Sequence, residues 1–130
     1  DSRVRYLFAD RPADGRRYYA KTGLYPINHT VVVRRELFER HPWIALNLYH
    51  AFVAARADVI ARGKAYLRSF EETGKLGEEA RRALAVDPMA YGMGANRAVL
   101  DTICRAVHEQ GLTSRRVGLE EIFAASTLEV

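Results

Sequence analysis

A histidine set in an apolar, β-branched run is the first residue here that could do chemistry. His29 lies between Asn28 and Thr30, just ahead of Val31-Val32-Val33 and the pair Arg34-Arg35. An imidazole titrates near neutral pH and can give or take a proton, and a guanidinium binds a carboxylate through two parallel N–H bonds. A histidine in an apolar strand is more often a satisfied structural group, and arginines at a strand end are equally at home as a charged junction. The second group is Tyr91-Gly92-Met93-Gly94-Ala95-Asn96-Arg97. A glycine-bearing loop that enters a helix points backbone N–H groups at whatever sits before it, which suits an anion, and Asn96 and Arg97 would add side-chain donors. The plainer reading is that the glycines permit the turn and Asn96 caps the helix. As a dinucleotide fingerprint the Gly-x-Gly is incomplete, with no third glycine and no preceding strand. Cys104 and His108, four apart on a helix, make half a metal site that nothing nearby completes, so no metal ligand and no cofactor is expected from this chain.

Charge and composition narrow the classes. Twenty Lys and Arg against 16 Asp and Glu give +4; Lys21, Lys64 and Lys75 are the only lysines, leaving 17 arginines. The bases come as scattered pairs, Arg16-Arg17, Arg34-Arg35, Arg81-Arg82 and Arg115-Arg116. Neighbours on a helix diverge by about 100°, so such pairs build no stripe for a nucleic-acid backbone, and nucleic acid is not an expected partner. A single cysteine rules out an internal disulfide framework. No uninterrupted apolar run approaches the roughly 18 residues of a bilayer span. The chain opens on Asp1 without a signal segment, which reads as a processed product or a piece of a longer protein.

The elements that must position these groups follow from periodicity and punctuation. Arg11-Pro12 breaks whatever residues 1–12 form. A short helix runs from Asp14, its cap, to Thr22, with Gly23 as a left-handed stop. Pro26 to Arg34 reads as a strand buried on both faces, as inside an α/β sheet. Arg35–Arg40 is a short helix broken at His41, with Pro42 placed to start the next. From Trp43 to about Phe70, Ile44, Leu48, Phe52, Ala55 and Val59 recur at helical spacing, widened by Tyr49 and Val53 into a core-facing stripe that Gly63 could interrupt. Further helices are expected over Glu78–Ala85, Ala95 to Gln110 with Val99, Leu100, Ile103 and Val107 inward, and Leu119–Ala124. Gly111-Leu112 resembles a Schellman ending. One strand cannot satisfy its own buried backbone, so its neighbours are expected in a part of the protein outside these 130 residues.

Ordered matches carry the reading further. Thr22-Gly23, Pro26-Ile27, His29-Thr30, Val31-Val32 and Arg34 resemble a segment of the 4,5-dihydroxyphthalate decarboxylase family. Glu39-Arg40-His41-Pro42-Trp43 with Leu48-Tyr49 and Ala51-Phe52 resembles the helix that follows it. Tyr91-Gly92, Ala95-Asn96-Arg97, His108 to Leu112, Glu121 to Ala124 and Ser126-Thr127-Leu128 resemble the family's C-terminal region. That family is similar to the type II periplasmic-binding-protein fold, two α/β lobes around a cleft, and its members are longer than this chain. The resemblance implies an α-rich C-terminal part of an α/β fold. Residues 1–24 would end the second lobe, a crossover strand would occupy about 26–34, and helices over 35–130 would pack on the first lobe.

The family name implies non-oxidative loss of one carboxylate from 4,5-dihydroxyphthalate to give protocatechuate, a step of phthalate degradation in aromatic catabolism. Loss of CO₂ leaves negative charge on the ring, so the ring must be protonated before or with it, and His29 is assigned as that acid on chemistry and position. Asn28, Arg34, Tyr91, Asn96 and Arg97 are expected to hold the substrate, the arginines taking the carboxylate that stays. The partner expected is thus a small aromatic carboxylate, with a homo-oligomer also open. The alternative is a solute-binding protein of an uptake system that holds such a ligand without turnover. The enzyme would be cytoplasmic and the binding protein periplasmic.

Overall fold

The computed structural model describes residues 3–87 and 89–130, and among these all the regular secondary structure is helical. The order is α1 (Arg11–Thr22), α2 (Arg35–Arg40), α3 (Ile44–Glu72), α4 (Glu78–Ala85), α5 (Met93–Glu109) and α6 (Leu119–Ile122), closed by a 3₁₀ turn over Ala125–Thr127.

The expected α/β fold with a strong crossover strand over 26–34 is overturned. Among the described residues there is no strand and no sheet. Residues 23–34 run without regular secondary structure, with Ile27 and Val33 half-buried and Val32 86 % exposed. The β-branched run does favour extended backbone, but a strand also needs a neighbour to pair with, and none lies beside this one.

Local signals place the helices. Asp10, not Asp14, caps α1: its Oδ1 accepts the N–H of Ala13 at 2.9 Å. Arg11-Pro12 therefore starts the helix instead of breaking it, since a proline in the first turn loses no intrahelical bond. Asp14 instead pairs with Arg17 one turn on. Gly23 ends the helix at φ 68°, its N–H on the carbonyl of Tyr19 at 2.7 Å. α2 has the expected bounds and stops at His41, whose N–H returns to Leu37 at 2.9 Å. Pro42 lies just ahead of α3, which begins at Ile44.

α3 runs unbroken through Gly63 for 29 residues, in keeping with the modest penalty of one glycine in a long helix. It ends in a Schellman motif at Gly74, with Lys75 N–H on Phe70 at 2.9 Å and Gly74 N–H on Glu71 at 3.0 Å. α5 ends the same way at Gly111, through Leu112 to Val107 at 3.0 Å and Gly111 to His108 at 2.9 Å. α5 starts two residues earlier than expected, and α6 stops at Ile122.

The expected core is only partly assembled. Met93 at 4 % and Leu119 at 3 % exposed are the buried hydrophobic side chains among the described residues. They lie at the N-termini of α5 and α6, which pack together, while α3 packs on the 3₁₀ turn. Leu100 and Val107 are half-buried, Ile103 is exposed, and Phe52, Ala55 and Val59 of the presumed core stripe of α3 are exposed. α3 is also long enough, and apolar enough over an 18-residue window, to cross a membrane by those two measures.

Candidate functional site

The groups that could act on a ligand gather where α3 meets the loop before α5. Tyr49, Val53 and Arg56 project from neighbouring turns of α3 at spacings of four and three. Asp87, Ala90 and Tyr91 face them from the loop and enclose an open cleft of about 220 Å³. Arg56 pairs with Asp87, and its guanidinium lies 5.4 Å from the ring centre of Tyr91, within cation–π range. The same Asp87 oxygen takes the N–H of Met89 at 3.2 Å, which turns the loop back toward α3. Tyr49 stands edge-on to His50, with ring centres 5.4 Å apart.

Asn96 holds the floor of this loop. Its Nδ2 donates to the carbonyls of Ala90 at 2.7 Å and Gly92 at 2.8 Å. The N-terminus of α5 is closed from the other side, where Gly94 N–H donates to the carbonyl oxygen of Val130 at 3.0 Å. The anion-friendly end read from the sequence thus faces protein acceptors on both sides. Arg97, in the first turns of α5, is half-exposed and lies 3.9 Å from Glu120.

A second ionic cluster fixes α6 against α5. Arg115 donates to both oxygens of Glu121, at 2.8 and 2.6 Å, and Glu121 Oε1 also accepts the N–H of Gly118 at 2.9 Å. These bonds, the Arg115 one foremost, hold the Glu121 carboxyl down at about 2 and raise Arg115. Arg116 reaches toward Asp101 at 4.0 Å.

Tyr91 lines the cleft and Asn96 shapes it. His29, Asn28 and Arg34 lie apart from it, exposed on the irregular segment after α1, and none of their side chains makes a hydrogen bond or ion pair among the described residues. Cys104 is free and half-buried, and His108 turns its Nδ1 to the carbonyl of Thr113 at 3.2 Å. Among the described residues no three His, Cys, Asp or Glu side chains converge as a metal site would. Sequence reasoning missed Arg56, Tyr49 and Asp87. The signal was there: Arg56 is a charge on the apolar face of a helix, and such a charge needs an acidic or aromatic partner.

The arrangement offers one guanidinium, one carboxylate and two phenol rings around an open space. These are the group types that hold a planar, anionic ring, by charge at its edge and by stacking on its face. The space is smaller than the roughly 300–1,000 Å³ of a complete small-molecule pocket.

No protein-family model matches the chain. It is 34 % identical over 132 aligned positions to a protein named 4,5-dihydroxyphthalate decarboxylase from Comamonas testosteroni. The match takes in 97 % of this chain and 39 % of that relative. The chain is therefore related to the 4,5-dihydroxyphthalate decarboxylases, and it spans about two-fifths of the length of the relative it matches.

Proposed function

We propose that this chain is part of a decarboxylase that removes one carboxylate from a hydroxylated aromatic dicarboxylate, converting 4,5-dihydroxyphthalate to protocatechuate without an oxidant. One observation carries the reading: identity to a protein of that name extends along 97 % of the chain and is not confined to one motif.

In the proposed step the imidazolium of His29 gives its proton to the ring carbon that bears the departing carboxylate. The bond from that carbon to the carboxylate then breaks. Its electron pair returns to the ring, aromaticity is restored, and CO₂ leaves. The substrate exchanges one carboxylate for one hydrogen, and solvent reprotonates His29. Arg97 holds the carboxylate that stays and Tyr91 stacks on the ring, on the loop that Asn96 braces through its amide group. Asn28, His29 and Arg34 stand apart from that cleft in this chain, and in the proposed step residues 23–34 bring them to the same substrate, Arg34 as a second guanidinium for the carboxylate and Asn28 as an amide contact. His29 and Arg34 are solvent-facing in this chain, so the opposite wall of the site would come from the rest of the protein. As an enzyme of aromatic catabolism it would work in the cytoplasm.

The test uses the protein expressed from its complete gene, comparing wild type with His29→Gln. Turnover of 4,5-dihydroxyphthalate should fall about 10²–10⁴-fold, the range for loss of a positioned acid, while calorimetric binding changes little. Undiminished turnover in the variant removes His29 from the mechanism. Binding without turnover in the wild type favours the solute-binding alternative.

A further inference from the structure

We infer that the apolar stripe Phe52–Val59–Tyr66–Phe70 of α3 is an internal packing surface. Its occupant is polypeptide equivalent to the part of the decarboxylase relative that this chain does not match. Phe52, Val59 and Tyr66 are spaced by seven residues, which on an α-helix keeps them within about 40° of one another, and Phe70 falls on the same line. They are 44, 67, 71 and 39 % exposed. The opposite side of α3 carries His50, Lys64 and Arg68, while Arg56 and Arg62 flank the stripe, paired with Asp87 and Asp58, so the helix is two-faced and the apolar line itself stays open to solvent.

The amount of exposed surface selects the occupant. The chain presents 10926 Å² to solvent, whereas a folded monomer of its mass presents about 7,000 Å². The excess of about 4,000 Å² far exceeds the roughly 800 Å² that each partner gives to a standard interface, and the roughly 1,000–2,500 Å² each gives to a large obligate dimer. An excess of that size fits a portion of a larger core better than a face for a second copy. Most of the relative's length has no counterpart in this chain, which supplies polypeptide enough to cover it. A bilayer suits the stripe less well. The stretch of α3 apolar enough to cross holds at most two charges, but the stripe runs past it to Tyr66 and Phe70 among Arg62, Lys64 and Arg68, and a charge at mid-bilayer costs about 2.5–3.5 kcal/mol.

The inference rests on the relationship to the decarboxylase and not on turnover, so the two can fail separately. A photo-crosslinking amino acid is placed at position 52, 59 or 66, and as a control at 64, in the protein expressed from its complete gene in its own cells. Products are identified by mass spectrometry, and the same preparations are assayed with 4,5-dihydroxyphthalate. The expected result is crosslinking at 52, 59 and 66 that exceeds position 64 by about tenfold, as packed contact against open solvent requires. The captured peptides should be similar in sequence to the unmatched part of the decarboxylase, whether on the same chain or a separate one. Capture of another copy of this stripe, capture of lipid, or yields no higher than at position 64 would each overturn it. Specific capture without turnover upholds the surface and counts against the activity.

Discussion

The N–H of Gly94 donates to the carbonyl oxygen of Val130 at 3.0 Å, so the first turn of α5 is closed by residue 130 of the same chain. Gly92, two residues ahead, makes that approach sterically feasible. Its φ is +98°, and a Cβ there would lie 2.6 Å from the carbonyl carbon and oxygen of Val130.

Gly92→Ala should therefore destabilise the chain by about 1–3 kcal/mol, the range for a side chain forced into a glycine-only backbone region. Gly15→Ala is the contrasting variant: Gly15 is inside α1 with nothing within 4 Å of a new Cβ, and its φ is not positive. It should stabilise by about 0.5–1 kcal/mol. Urea unfolding of both variants checks the pair, and a neutral Gly92→Ala would show that the approach of Val130 is not maintained.

Asn96→Asp should loosen the loop. It removes both amide donors and sets a carboxylate against the carbonyls of Ala90 and Gly92. The loss should be about 1–3 kcal/mol, the scale of two ordinary hydrogen bonds. Hydrogen exchange over residues 89–94 should accelerate, because Asn96 supports that loop whether or not a ligand is present.

Acid should undo the junction at α6. Glu121 is held at about 2 by Arg115 and the Gly118 N–H, below the roughly 4.3 of an unconstrained glutamate. A carboxyl with a depressed folded value binds its proton more readily when unfolded. Its contribution is fully present above about pH 4.3 and is lost as pH falls toward 2. A carboxyl-detected NMR titration should find Glu121 still ionised at pH 3, and Arg115→Gln should return it toward the ordinary range. A midpoint near 4.3 in the wild type would contradict the fork geometry.

Arg97 is half-exposed and only loosely paired with Glu120 at 3.9 Å, which leaves its guanidinium open to a ligand carboxylate. In the protein from its complete gene, Arg97→Gln should raise KM for 4,5-dihydroxyphthalate about 10- to 100-fold, the equivalent of one charge-assisted contact of roughly 1.5–3 kcal/mol. The kcat should change far less, since the carboxylate it holds does not react. An unchanged KM would take Arg97 out of the binding site.

Helices were legible in the sequence because their signals are local. Gly23, Gly111 and the 4-3-4 spacing on α3 act within a turn or two of themselves, and α2 and α4 have the bounds read from residues alone. The strand failed for the opposite reason. Ile27 to Val33 specify an extended backbone, but pairing depends on a neighbour that no local pattern can supply. The site was legible in part. Tyr91 and Asn96 announced themselves through the glycine loop. Arg56 and Asp87, 31 residues apart, meet only because α3 and the 87–91 loop come together in space.

The central claim is the proposal that the protein to which this chain belongs decarboxylates a dihydroxylated phthalate. The most direct measurement supplies carboxyl-labelled 4,5-dihydroxyphthalate to the protein expressed from its complete gene and counts labelled CO₂ and protocatechuate, with and without a chelator. The account predicts one CO₂ and one protocatechuate for each substrate consumed, and loss of both in His29→Gln. Binding of the same compound with no release of CO₂ would contradict it.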